Sequence, residues 1–236
     1  MNSLCKIQIG LTNGSARDFL HRGTRADLGV LKQIFQDKDY SIDKLRRGGE
    51  LVAKFNAITR AGKTPLVIDA GANIGASALW LSIAFPGAHT VCFEPESSNF
   101  ELLKSNTTGL NVDLHEAAVG SVDGRVDLLD PGEGEWGYQT ATNPGGAINL
   151  FSLDRVVTCK KALGYEPFIA KIDIEGGEGE LFSGHTDWVN EFPLLIIELH
   201  DWLLPGKGTS ANFLKTISQF DRDFVHIGEN IFSIKN

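Results

Sequence analysis

From Pro65 onward the apolar positions fall into short blocks, "PLVIDA", "HTVCFE", "NVDLHEAAVG", "FIAKIDIE" and "PLLIIELH", with longer stretches such as "GASALWLSIAF" and "SSNFELLKSNTT" between the first three. Apolar blocks this short are strands buried on both faces, and helical connections make their pairing parallel. Right-handed crossovers then produce a doubly wound sheet. After the fifth block "SANFLKTISQF" reads as a helix, and "DFVHIGENIFSIKN" as two strands joined through Gly228-Glu229-Asn230. Such a short connection makes an antiparallel hairpin, which completes a seven-stranded, mostly parallel α/β sheet. Upstream, Leu28, Leu31, Ile34 and Phe35, and then Leu51, Val52, Phe55 and Ile58, recur at helical spacing. The pattern divides the chain into an N-terminal helical cap, residues 1–62, and an α/β domain, residues 63–236. Asp130 to Gly146 is dense in turn residues and reads as a loop or loose hairpin.

Composition narrows the function classes. At 236 residues, 42% hydrophobic and 22% charged, the chain can bury one substantial core. A net charge of -8 and a pI near 5.2 exclude the basic face that nucleic acid or an anionic membrane would need, so a small-molecule substrate is expected. Cys5, Cys92 and Cys159 are odd in number and widely spaced, unlike a disulfide framework or a zinc site. With no apolar run of about 18 residues and no signal-like leader, a soluble cytoplasmic protein is expected.

The first strand runs into "DAGANIG". Ligands of open parallel sheets sit beyond the carboxyl ends of the strands, where the order of the strands reverses. Asp69 lies at such an end. Gly71 permits a tight turn and Gly75 a close helix start, while Asn73 departs from the spacing of a dinucleotide fingerprint. An acid immediately before the turn would repel a diphosphate, yet suits an amine or sulfonium. Glu94 ends the second strand, where a carboxylate can accept both hydroxyls of a ribose. S-adenosylmethionine combines those features.

At this point the sequence resembles the FkbM family of S-adenosylmethionine-dependent O-methyltransferases, through "VIDAGANIG", "FEPESSNFELLKSN", "AAVGS", "KIDIEGGEGELFSG" and "IIELH". The resemblance extends from about Pro65 to the C-terminus. It implies a Rossmann-like class I methyltransferase sandwich in which Asp69, Gly71, Asn73 and Gly75 line the methionine end of the cofactor and Glu94 holds its ribose. Ser98 or Asn99 would lie near the adenine, and Ala118 would contribute from the loop after the third strand.

A second constellation carries the chemistry. Asp173 and Glu175 share a face by strand alternation, as do Glu198 and His200 on the next block. Methyl transfer to an alcohol needs a placed acceptor and a base. His200 is the candidate base because its ordinary pKa lies near neutrality, with Asp173 and Glu175 orienting the acceptor or the sulfonium or serving as base themselves. A rival reading makes Asp173, Glu175, Glu198 and His200 ligands of a divalent ion; the family pattern does not require one, and no metal is assigned. Trp136, Tyr138 and Trp202 offer aromatic faces for a sugar ring or an anchor for a long loop, and Tyr40, Arg46 and Arg47 in the cap either close over the cofactor or belong to a solvated helix surface, with no catalytic role assigned. The expected reaction is methylation of a hydroxylated small molecule, by a chain for which a homodimer is plausible. A nicotinamide-dependent oxidoreductase on the same sheet and a non-catalytic nucleoside-binding module stand as alternatives.

Overall fold

The computed structural model describes residues 4–11, 14–129 and 139–236. Its centre is a seven-stranded sheet built from β3 (Thr64–Ala70), β4 (His89–Phe93), β5 (Val112–His115), β10 (Tyr165–Ile172), β11 (Leu194–Glu198), β12 (Arg222–Ile227) and β13 (Asn230–Lys235). The spatial order is β12-β13-β11-β10-β3-β4-β5, and β13 alone runs against the others. Succession leaves β3 toward β4 and β5 on one side and resumes at β10 on the other. The switch point therefore lies between the carboxyl ends of β3 and β10, where an open sheet binds ligands.

Alternation along the strands splits the core into two layers. On one face Val67, Ile169 and Leu194 pack with Leu31 and Ile34, and with Leu51 and Ile58 of α2 (Gly48–Arg60). Phe55 of this helix lies 5.5 Å from Phe85 and 5.4 Å from Phe168, ring centre to ring centre. On the other face Leu66, Ile68 and Ile197 pack with Leu153, Val157, Trp188 and Phe213. The N-terminal helices predicted from the sequence, α1 (Arg25–Leu31) with its π-helical continuation to Gln36, and α2, thus form one layer of the sandwich.

Three local features depart from the pattern-based reading. A hairpin of β1 (Cys5–Gly10) and β2 (Ala16–His21) precedes the N-terminal helices, so residues 1–62 are not helical throughout. Phe19 is fully buried, and Asn106 anchors the hairpin: its Oδ1 accepts from Leu20 N at 2.7 Å and its Nδ2 donates to Leu20 O at 2.9 Å. The block "NVDLHEAAVG" is two strands, because Glu116 breaks it into β5 and β6 (Ala117–Gly120). β6 enters a second, four-stranded sheet with β9 (Ile148–Ser152), β7 (Gly124–Leu129) and β8 (Gln139–Thr142). The predicted loose hairpin at 130–146 therefore carries β8 as an arm paired with β7, while Trp136 and Tyr138 lie outside the described residues. Among the described residues no helix is long and apolar enough to cross a membrane.

Candidate active site

The turn after β3 is built by backbone conformations that few residues tolerate. Gly71 has φ 77°, and a Cβ there would lie 1.7 Å from the carbonyl oxygen of Asp173, so only glycine lets the ends of β3 and β10 approach this closely. Asn73 follows at φ 48°, a left-handed conformation that asparagine adopts more readily than other side chains. Its N–H donates to Glu94 Oε2 at 2.8 Å. Gly75, at φ 92°, precedes α3 (Ala76–Ala84) and faces Leu103 and Thr107 of the neighbouring segment. It therefore serves helix packing and is absent from the walls of the cleft.

That cleft encloses about 620 Å³, its open mouth included, and is lined by Gly71, Asn73, Glu94, Asn99, Asp173 and Glu175, with Phe93, Ala118 and Thr140 among the others. A volume of this order accommodates a small-molecule cofactor. Glu94 is buried, and its Oε1 accepts from Glu96 N at 2.9 Å and more weakly from Asn99 Nδ2 at 3.5 Å. Each carboxylate oxygen retains acceptor capacity, which fits a vicinal diol. Burial pushes the Glu94 carboxyl up to about 7, against the lowering effect of the donated N–H groups. Ser98 is exposed and turned away, its Oγ donating to Glu96 Oε2 at 2.6 Å and accepting from Arg22 at 3.1 Å. Of the two adenine candidates, Asn99 is the one that reaches the cleft, steadied by Arg22 Nη2 at 2.8 Å.

Asp69 requires a correction. Its side chain is fully buried and stands outside the residues that line the cleft. Oδ2 accepts from Ser77 Oγ at 2.6 Å, and Oδ1 faces Lys171 Nζ at 3.3 Å. Lys171, its register partner on β10, is itself 2% exposed and donates to the Gly71 carbonyl at 2.6 Å. Burial disfavours its charged form, but Asp69 and Asp173 hold its pKa above the ordinary lysine value. Asp69 and Lys171 thus fix the turn from below. Lys171 was overlooked in the sequence, although a lone lysine within "FIAKID" demanded a buried counter-charge. Tyr40, expected over the cofactor, instead covers this pair with its ring centre 5.9 Å from Nζ. Arg47 binds Glu50 and Asp223, and Arg46 is exposed.

His200 also requires correction. The imidazole is 1% exposed, with Nδ1 2.9 Å from Glu178 Oε1 and Nε2 3.4 Å from Glu175, 3.6 Å from Asp173 and 3.6 Å from Glu198. Burial works against its charged form, but the Glu178 bond and the surrounding carboxylates raise it to about 9. In this arrangement it carries a proton near neutrality and stands outside the residues that line the cleft, so it is not the free base expected. Glu175 and Glu198 shift upward too, first through burial and then through the negative charge of Asp173. Asp173 and Glu175 line the cleft, whereas Glu198 and His200 stand behind them. Trp202 lies 6.3 Å from His200 between ring centres, with 66% of its surface exposed.

The strand order, with its one antiparallel strand, is that of the Rossmann-like sheet expected from the sequence, and the cleft lies at its switch point. No protein-family model matches the chain. In sequence it is similar to the hexuronic acid methyltransferase AglP of Haloferax volcanii, 24% identical over 179 residues that cover 70% of each chain. Similar solved structures include monomeric WbdD, at TM-score 0.43 and 13% identity over 82% of this chain; the match spans only 42% of the WbdD chain. Another is the O-methyltransferase from Bacillus cereus in complex with SAH, at TM-score 0.44 and 12% identity, covering 88% of this chain and 91% of that one.

Proposed function

We propose that the chain is an S-adenosylmethionine-dependent O-methyltransferase of the FkbM type, acting on a hydroxyl of a sugar, sugar acid or similar polyhydroxylated small molecule. The observation that carries this reading is the charge of the cleft. Its lining includes Glu94, Asp173 and Glu175 and, among the described residues, no lysine or arginine. Three carboxylates repel the diphosphate of a nicotinamide dinucleotide and attract a sulfonium and an ammonium. The two ends also differ in a useful way: Glu94 offers acceptors for ribose hydroxyls, while Asp173 and Glu175 stand across the switch point beside Gly71.

When bound, S-adenosylmethionine supplies an electrophilic methyl group for in-line displacement. Glu94 would accept hydrogen bonds from the two ribose hydroxyls, and Gly71 would let the backbone approach without a side chain between. Asp173 is held by Lys171 at 3.6 Å and orients the reacting end of the cleft. Glu175, which lines the cleft and is raised to about 8 by burial, would in its ionised form receive the proton of the acceptor hydroxyl as that oxygen takes the methyl. Trp202 presents an exposed ring on which the apolar face of a sugar can stack. The similarity to AglP favours a sugar-acid acceptor, and the unpaired cysteines suit the cytoplasm, which is where we place the protein.

Isothermal calorimetry with S-adenosylhomocysteine and, in parallel, NADH tests the proposal. Binding of S-adenosylhomocysteine alone is the expected result. Binding of NADH alone overturns the donor assignment, and heat from neither overturns the cofactor reading altogether.

A further inference from the structure

Arg22, the residue after β2, reaches toward the cleft from outside its walls. Its Nε and Nη2 donate to the Asp27 carboxylate at 3.1 Å and 2.6 Å, and its backbone N–H donates to the same group at 2.6 Å. Asp27 is 1% exposed, and its own N–H is capped by Thr24 Oγ1 at 3.2 Å. The guanidinium is therefore a planar fork held at one end, with further donors aimed outward. Nη1 donates to Ser98 Oγ at 3.1 Å, and the second hydrogen of Nη2 goes to Asn99 Oδ1 at 2.8 Å.

We infer that Arg22 is a positioning residue for cofactor recognition: held by Asp27, it fixes the side-chain amide of Asn99 so that the NH₂ end is presented to the purine base as a donor. Arginine carries donors only, so the amide atom that meets it is the oxygen. On the opposite side Nδ2 leans toward Glu94 Oε1 at 3.5 Å, an acceptor, and sets the same orientation. Among the described residues Nδ2 has no other hydrogen bond, and one long contact leaves the second N–H of the amide available. Asn99 is 3% exposed yet lines the cleft, so this N–H serves the cavity and not bulk water. Adenine offers ring-nitrogen acceptors that match it. The assignment of a purine rests on the S-adenosylmethionine reading; the hold on the amide does not.

The helix that carries Asn99 is tied to the N-terminal segment at both ends. Arg22 holds Asn99 in the first turn of α4 (Ser97–Asn106), and Leu20 holds Asn106 at its last residue through both atoms of that amide. The two asparagines are about two helical turns apart and so share a face. The end of β2 and the start of α1 thus set how α4 is rotated against the cleft. They act on the pocket without contributing a residue to its walls.

Calorimetry with S-adenosylhomocysteine on the wild type, Arg22→Lys, Asn99→Ala and the double variant tests the inference. Lysine keeps a cation beside Asp27 but is a point charge that cannot fork to Asn99 as well, so circular dichroism should show a folded protein. Arg22→Gln, read in the same way, takes its place if the lysine variant does not fold. Arg22→Lys should weaken binding by roughly 3- to 10-fold, as Asn99→Ala does by removing one hydrogen bond. With Asn99 already alanine, the same change at Arg22 should alter affinity by less than about twofold. In the cofactor-free protein the side-chain amide NMR resonance of Asn99, assigned as the one missing from Asn99→Ala, should move in Arg22→Lys. Wild-type affinity in a folded Arg22 variant overturns the inference, and so does an unmoved Asn99 resonance. An equal loss in both backgrounds also overturns it, since that describes displacement of the hairpin and not a hold on one amide. Any of these results with a wild type that binds S-adenosylhomocysteine leaves the methyltransferase proposal standing, whereas a wild type that binds none overturns the cofactor reading and the base contact together.

Discussion

Replacing Lys171 by methionine keeps the length and the apolar stem of the side chain but removes its ammonium. In the native protein this group is 2% exposed, faces Asp69 Oδ1 at 3.3 Å and Asp173 Oδ2 at 3.6 Å, and donates to the Gly71 carbonyl at 2.6 Å. Asp69 Oδ1 has no hydrogen-bond donor among the described residues, so Lys171 is its electrostatic partner at a fully buried position. Removing one member of a buried pair leaves an uncompensated charge and costs about 3–5 kcal/mol. For a chain of this size each kcal/mol moves the melting temperature by roughly 2–4 °C, so a fall of about 6–20 °C is expected. The assay is thermal unfolding by circular dichroism, checked by urea titration. The double variant Lys171→Met/Asp69→Asn removes both charges while leaving Ser77 an acceptor, and should recover much of the loss. A single variant within about 1 kcal/mol of wild type, or a double variant as unstable as two independent losses would make it, refutes the argument that the pair fixes the turn.

Gly71→Ala should abolish S-adenosylhomocysteine binding in calorimetry, because its Cβ would lie 1.7 Å from the Asp173 carbonyl oxygen at a φ of 77°; wild-type affinity would show that the turn is not the floor of the site. Glu175→Gln should lower kcat by roughly 10²- to 10⁴-fold while leaving S-adenosylhomocysteine affinity intact, and a fully active variant removes Glu175 from the proton-accepting role. Glu94 is raised to about 7 by burial, and ribose hydroxyls donate to its charged form, so affinity should rise with pH and level off above 7. At pH 6 it should be about tenfold below the plateau; a flat profile, or one preserved in Glu94→Gln, contradicts the ribose assignment. The same shift runs the other way for stability of the cofactor-free fold: the folded carboxyl binds protons more tightly than the unfolded one, so its contribution, complete below about pH 4.5, is lost as pH rises through 7.

How far the sequence could be read depended on whether a feature was local. β3, β4, β10 and β11 are continuous apolar blocks that stay buried on both faces, and periodicity alone identifies them. Gly71, Asn73 and Glu94 were legible because turn chemistry and a strand-terminal acid are written into adjacent residues. The break at Glu116 was not, since it exists only in the routing: Glu94 N bonds His115 O at 3.1 Å and Ala117 N bonds Glu94 O at 3.2 Å, which turns one apolar block into two sheets. The N-terminal hairpin left a trace in the alternation of Ile7, Gln8 and Ile9, but the helical spacing that follows dominated the reading. Asp69 was misplaced because nothing in "VIDAG" reveals a register partner about a hundred residues away. His200 was assigned its ordinary titration, and only the convergence of four carboxylates from separate positions shows why that does not apply.

The position of β13 has a consequence for biosynthesis. This strand follows β12 along the chain yet lies between β12 and β11 in the sheet. During vectorial synthesis β11 therefore emerges long before the neighbour that pairs with it from Leu194 to Glu198. For that interval the nascent chain presents an unpaired edge whose Leu194, Leu195, Ile196 and Ile197 end up wholly inaccessible to solvent. Such an edge is a template for intermolecular pairing. The interval between translating residue 198 and residue 235 is thus when this chain is most exposed to aggregation, and truncation before β13 would prolong that state indefinitely.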